Sequence, residues 1–192
     1  MTKRVVILFS GDGSNFENIV RKLHNREFDG TKVEIVGAIC NKPDAKGVIR
    51  AKNLGIPCKI IDHKMYDSRE LFDKELVKTI IEFRYDLCVL AGFMRILTPV
   101  FTDNMKAINI HPSFLPYFKG ADGVKESFES GMGFGGASIH WVNSGVDEGE
   151  IIAQEKVEIS PNETLVSFRT KIQLKEHELY PKAIIKVLKE SR

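Results

Sequence analysis

The chain has 192 residues, 43% hydrophobic and 28% charged, with 28 basic residues against 26 acidic ones and a net charge of +2. This is an ordinary globular composition with enough chain for a proper core, and its scattered charges form no basic block or basic-aromatic stripe, which argues against a nucleic-acid partner. No apolar run nears the roughly 20 residues a membrane helix needs, and the run before Gly11 is too short for a signal peptide, so a cytoplasmic protein without membrane contact is expected.

The first run, "RVVILF", is β-branched and apolar throughout, as in a strand buried on both faces. "SGDGSN" follows, from Ser10 to Asn15, and Ser14-x-x-Glu17 reads as a capping box that starts a helix at Ser14 with Phe16, Ile19, Val20 and Leu23 inward. Glycines between a strand and a helix start can present backbone amides to an anion, or can simply make a turn. The stretch completes neither G-x-G-x-x-G nor the Walker A pattern, so a phosphate held here would be of mononucleotide type.

"VEIVGAIC" is a second buried strand, followed by the turn "NKPDAKG", a helix around Val48 to Leu54, and a short third strand, "IPCKII". Asp67 is placed to cap the next helix, whose Leu71, Leu76, Ile80 and Ile81 fall near a 3.6-residue period. "DLCVLAGF" is a fourth buried strand. Cys40, Cys58 and Cys88 lie in these apolar runs without CxxC spacing, as buried thiols of a reducing compartment do. Alternating strands and helices with right-handed crossovers imply an α/β fold, a mostly parallel, Rossmann-like open twisted sheet with helices on both faces.

"KAINIHP" is a fifth strand. Ile108 and Ile110 take one face, while Asn109 and His111 share the other. A strand histidine can be a satisfied core residue. At the carboxyl end of a strand in an open sheet, however, an amide and an imidazole side by side stand where ligands bind. The amide N–H can hold an oxyanion and the imidazole can move a proton, a pairing suited to addition at a carbonyl.

A helix is expected near Asp122 to Ser130, followed by "GGASIHWVN" and "GEIIAQEKVEI" as a mixed or antiparallel extension of the sheet. Between these runs, Asp147 could orient His111 and favour its charged form, or could join Glu148 and Glu150 in a solvated acidic turn. His140 is a rival for any histidine role, and no pair of histidines has metal-ligand spacing. The strip Met94 to Leu97 could hold a flat heterocycle or be core plus a surface arginine. The tail from Glu163 to Lys189 is helical, with Pro181 expected to kink or split it near His177. No linker, repeat or low-complexity segment appears, so residues 1–192 read as one domain.

The ordered set "SGDGSN", "DSRE", "LAGFMRIL", "NIHPSFLP", "VDEG" and "KEHELYP" resembles the folate-dependent phosphoribosylglycinamide formyltransferases of purine synthesis, over nearly the whole chain. The resemblance implies a catalytic trio of Asn109, His111 and Asp147. It assigns Gly13, Ser14 and Asn15 to the substrate phosphate, with Pro112, Gln173, Leu174, Lys175 and Glu176 also on the ribonucleotide. Arg69, Met94, Arg95, Ile96, Leu97 and Asn109, with the loop of Asn143, Ser144, Gly145, Val146 and Asp147, correspond to the folate side. The implied reaction moves a formyl group from 10-formyltetrahydrofolate to the amine of phosphoribosylglycinamide, without metal, in a monomer or homodimer.

The segment "YFKGADGVKESF" departs from the family pattern, with Gly120, Ala121, Asp122 and Gly123 where a histidine-bearing helix start is usual, and Ala137 replaces a small hydroxyl residue. An amino-sugar nucleotide is therefore the alternative acceptor. A transfer-RNA formyltransferase would add a basic C-terminal domain, and a formyl-folate hydrolase an N-terminal regulatory one. A nicotinamide oxidoreductase would show an acidic residue where Cys40 and Asn41 stand. A non-catalytic nucleotide-binding module would give no reason for Asn109, His111 and Asp147 to converge.

Overall fold

The computed structural model describes residues 1–190. Among these, eight strands form one sheet. The strands are β1 (Thr2–Phe9), β2 (Arg26–Phe28), β3 (Thr31–Cys40), β4 (Cys58–Ile60), β5 (Leu87–Leu90), β6 (Ala107–His111), β7 (Phe134–Trp141) and β8 (Ile151–Glu158). The order across the sheet is β2-β3-β1-β5-β6-β7-β8, with β4 also paired to β3. The β3, β1, β5 and β6 ladders are parallel, as is β4 on β3, whereas β2, β7 and β8 pair antiparallel. The mixed extension at the C-terminal edge is thus as expected. The β2–β3 pairing is an addition: Arg26–Phe28 is too short and polar to show a strand period, and pairing across Asp29–Gly30 alone makes it one.

Helices cover both faces. On one side α1 (Ser14–Leu23), α2 (Lys46–Asn53) and the C-terminal half of α6 (Leu165–Glu190) pack on Val5, Ile7, Phe9, Val89, Ile108 and Ile110. On the other, α3 (Arg69–Glu82) and the short α4 (Pro99–Thr102) pack on Val6, Leu8, Cys88 and Leu90. The front half of α6 joins α5 (Gly123–Glu129) and β8 in a smaller cluster of Val124, Val157, Phe168 and Ile172. No described helix is long and apolar enough to cross a membrane. Cys40 and Cys88 are buried free thiols, while Cys58 is half-buried.

Several local expectations are corrected. Ser14 is the first helical residue and not a cap. Gly13 precedes it in the left-handed region, and the Glu17 carboxylate pairs with Arg21 and Arg50. Phe16, Ile19, Val20 and Leu23 do face inward. Ser68, not Asp67, caps α3, its Oγ accepting from the Leu71 N–H at 3.2 Å. The stripe that packs on the sheet is Phe72, Asp73, Leu76, Thr79 and Ile80, which leaves Leu71 and Ile81 exposed.

Pro181 does not split α6, which is assigned unbroken through it. The proline removes the N–H that would have met the His177 carbonyl four residues back. Two side chains of α1 supply the missing donors: Asn18 Nδ2 at 2.9 Å and Lys22 Nζ at 2.8 Å. The sequence break thereby becomes a bond between helices. We expect Asn18→Ala to lower stability by about 1 kcal/mol, read as a lower denaturant midpoint at unchanged slope, because Lys22 still serves the same carbonyl.

Candidate active site

The β6 strand runs between parallel β5 and antiparallel β7, and its carboxyl end opens into a cavity of about 370 Å³. The β6–β7 register sets Asn109 opposite His140 and His111 opposite Ser138. Directly opposed residues share a face, so both histidines and the amide point the same way. A register shift between β7 and β8 falls beside His140, where a bulge re-aims side chains.

Asp147 arrives on the loop after β7 and stands between the two imidazoles. Its Oδ2 lies 3.3 Å from His111 Nδ1, and its Oδ1 lies 3.5 Å from both His140 Nε2 and Asn109 Nδ2. The Gly120 N–H donates to Oδ2 at 2.9 Å. Burial raises the carboxyl pKa, but the His140 contact, the Gly120 amide and the charge of the histidines outweigh it and hold the group below its ordinary value. Asp147 is therefore not part of a solvated acidic turn; Glu148, its neighbour, is the one that turns outward, to Lys119.

His111 meets a second acceptor: its Nε2 is 2.8 Å from the Phe118 carbonyl. A neutral ring can donate to only one of these two acceptors, a protonated ring to both. Phe118 reaches this position in the left-handed region (φ 57°), and Asp147 is left-handed as well (φ 53°). A bulky aromatic pays for that conformation, and such strain collects at functional sites. Gly123 explains part of the departure noted in the sequence. A Cβ there would lie 2.9 Å from the Phe118 oxygen and 3.1 Å from His111 Nε2, so the bare backbone leaves room for the ring.

The cavity is lined by Met94, Arg95, Ile96, Leu97, Asn109, His111, Pro112 and the Asn143–Asp147 loop, together with Leu90, Gly92, Phe93, Gly120, Ala121, His140 and Val142. Met94 and Ile96 are exposed. The Arg95 guanidinium lies 5.7 Å over the Phe72 ring, and its Nε is buried without a partner. Arg69, the first residue of α3, is exposed and does not line the cavity. Among the described residues, no cluster of three or more His, Cys, Asp or Glu could hold a metal ion.

The glycine turn lies at the carboxyl end of β1. Gly13 is left-handed (φ 76°), and a Cβ on it would come within 2.8 Å of Gly47 Cα, so no side chain fits. Arg50 of α2 braces this turn, holding the Asp12 carbonyl and carboxylate at 2.8 Å each while pairing with Glu17. At the start of α1, Gln173 Nε2 donates to Ser14 Oγ at 3.1 Å and Asn15 Nδ2 to Glu176 Oε2 at 3.3 Å. Gln173 and Glu176 thus join the turn. Leu174 is exposed on α6, and Lys175 is engaged by Glu155 and Glu178. Burial pushes the Glu176 carboxyl up to about 7, with the Asn15 amide opposing it, and Asn15 Oδ1 has no partner.

An open α/β sheet with this group of polar side chains at its strand ends has the architecture of an α/β enzyme. Comparison narrows the class: residues 3–184 match the formyl transferase family, and the chain belongs to it. A crystal structure of phosphoribosylglycinamide formyltransferase from Campylobacter jejuni superposes with a TM-score of 0.95 at 51% identity, covering 98% of each chain. Phosphoribosylglycinamide formyltransferase of Bacillus subtilis is 36% identical over 188 residues, 97% of this chain and 95% of its own length. The human trifunctional purine biosynthetic protein adenosine-3 is 37% identical over 183 residues, but the chain spans only 18% of that relative's length.

Sequence reasoning weighed His140 as a rival of His111, whereas the structure gives both to one carboxylate. The signal was present in "SIHW", where Ser138 and His140 alternate as Asn109 and His111 do. The Phe118 carbonyl and Gly120 amide carry no side-chain signature at all.

Two outcomes are expected. Gly123→Ala should lower kcat by on the order of 10- to 100-fold in steady-state assays by displacing the His111 ring or Phe118. For Glu176, the folded chain holds a proton that the unfolded chain has released once pH exceeds 4.5, so stability falls as pH rises from there to about 7. Glu176→Gln should match the wild type near pH 4 and exceed it by up to about 3 kcal/mol at pH 8, measured by chemical denaturation.

Proposed function

We propose that this chain transfers the formyl group of 10-formyltetrahydrofolate to the amine of phosphoribosylglycinamide, a step of purine biosynthesis. The observation that carries the mechanism is the convergence of Asn109, His111 and Asp147 at one spot of the cavity. Full-length likeness to enzymes of that name, from Campylobacter jejuni and Bacillus subtilis, supports the acceptor.

The ribonucleotide phosphate sits on the backbone of Gly13, Ser14 and Asn15 at the start of α1, where helix amides favour an anion. Glu176, with Gln173 beside it, meets the ribose or glycinamide end, and Pro112 shapes the passage between the two halves. The folate lies along the strip Met94 to Leu97, with Met94 and Ile96 facing it, under the Asn143–Asp147 loop, and Arg69 stands outside the cavity toward its acidic end. Its heterocycle suits an apolar strip with few polar edges.

The acceptor amine attacks the formyl carbon, and a tetrahedral intermediate forms without a covalent bond to the enzyme. Asn109 donates to the oxyanion. His111 stabilises that charge and shuttles the proton: the departing folate nitrogen gains one from the ring, the ring regains one from the attacking amine, and it ends as it began. Asp147 holds the ring's orientation and balances its charge, with His140 bracing the carboxylate from the other side. Residues 1–192 act in this scheme as one catalytic unit.

A formyl-transfer assay offering phosphoribosylglycinamide beside an amino-sugar nucleotide tests the acceptor; turnover of only the latter would refute the reading. Asp147→Asn should lower kcat by on the order of 10² to 10⁴-fold while both KM values stay within about threefold. Parallel loss of substrate affinity would count against the orienting role.

A further inference from the structure

We propose that Asp73, a residue of α3 outside the cavity, is a positioning residue that sets the Met94–Leu97 strip through Thr98 and thereby the affinity for the formyl-folate co-substrate. The inference rests on the reading of that strip as the folate side.

Asp73 is 1% exposed. A carboxylate there is a costly choice on a helix face whose other buried positions include Phe72, Leu76 and Ile80, where an apolar side chain would serve packing better. One oxygen, Oδ2, accepts two bonds from a single residue: the Thr98 N–H at 2.6 Å and the Thr98 hydroxyl at 2.7 Å. Burial nonetheless holds the carboxyl above its ordinary range, against the pull of both Thr98 donors.

Thr98 also gives up a local option. It is the N-cap of α4, yet its hydroxyl makes no cap bond, because it points at Asp73 instead. A cap bond would stabilise α4, so Thr98 forgoes the arrangement its own helix would favour.

The segment they fix has no regular structure from Phe93 to Leu97 and forms one wall of the cavity. Its leading end is tied to the sheet: Met94 N–H donates to Ser10 Oγ at 2.7 Å and Ser10 N–H to the Gly92 carbonyl at 3.0 Å. Its trailing end is tied to α3 by the two Thr98 bonds to Asp73. Between these ties Phe93 stacks on Phe72, the residue beside Asp73, with ring centroids 6.4 Å apart, and Arg95 lies over the same ring. Phe72 supports the inward side chains while Asp73 sets where the strip ends, and this presents Met94 and Ile96 outward to the cavity.

The test measures Thr98→Val, Thr98→Ser, Asp73→Asn and Asp73→Ala beside the wild type. Readouts are KM for 10-formyltetrahydrofolate, KM for phosphoribosylglycinamide, kcat, and equilibrium binding of a non-transferring 10-formyl folate analogue by fluorescence. Thr98→Val keeps the side-chain shape and the backbone bond but removes the hydroxyl donor. It should raise the folate KM and the analogue Kd by about tenfold, with the ribonucleotide KM within twofold. Asp73→Ala should do the same more strongly, and Thr98→Ser and Asp73→Asn, which keep the donor and the acceptor oxygen, should restore most of the affinity. Combining Thr98→Val with Asp73→Ala should weaken folate no further than Asp73→Ala alone. Unchanged folate affinity in Thr98→Val and Asp73→Ala, or equal loss for both substrates, would overturn the inference. A wild type that fails to bind the folate analogue at all would instead overturn the reading it rests on.

Discussion

The partly buried carboxylate of Asp147 is the constraint around which the site is arranged. It faces two imidazoles and a backbone amide, and each comes from a different part of the chain: β6, β7 and the segment ahead of α5. A carboxylate withdrawn from water is tolerated only where donors or positive charge surround it. Meeting that demand draws the loop after β7 down onto the strand ends and fixes how near Gly120 and Phe118 come to His111. The left-handed backbone at Phe118 and Asp147 and the bare backbone at Gly123 are consequences of the same closure.

The two halves of the site are joined by α6. Its front face reaches the start of α1 through Gln173 and Glu176, and its carbonyl at His177 takes side-chain donors from α1 because Pro181 supplies none. Further along, the Tyr180 hydroxyl shares its one proton between the carbonyls of Leu90 and Ile108, at 2.7 and 3.1 Å, tying the helix to β5 and β6. The glycine turn before α1 and the strand β6 are thus referenced to one rigid element. The transfer proposed above would need such a reference, since a misplacement of about 1 Å between reacting groups costs on the order of 100-fold in rate.

Where a reading from local pattern failed, the reason was a competition that only distant contacts decide. The apolar residues of α3 allow more than one inward face, and packing on Val6, Leu8, Cys88 and Leu90 selects Phe72, Leu76 and Ile80 and leaves Leu71 outside. Ser14 and Glu17 have capping-box spacing, but Arg50 on α2 offers Glu17 a charged partner, and the box does not form. The β2 strand exists only by pairing, and His140 joins the trio only through its register with Asn109.

What the sequence determined alone was what short-range periodicity governs: the buried strands β1, β3, β5 and β6, the inner face of α1, and the placing of Asn109 and His111 on one face at a strand's end. These follow from steric alternation and 3.6-residue spacing, which act within a few residues. The tertiary structure decided which carboxylate meets which ring, which carbonyls replace missing partners, and how tightly the Phe118–Gly123 segment approaches. Asp147 meets His140 across only seven positions, but the other contacts join residues 27 to more than 150 positions apart or run through backbone atoms. They depend on the closure of the whole chain, which no local window contains.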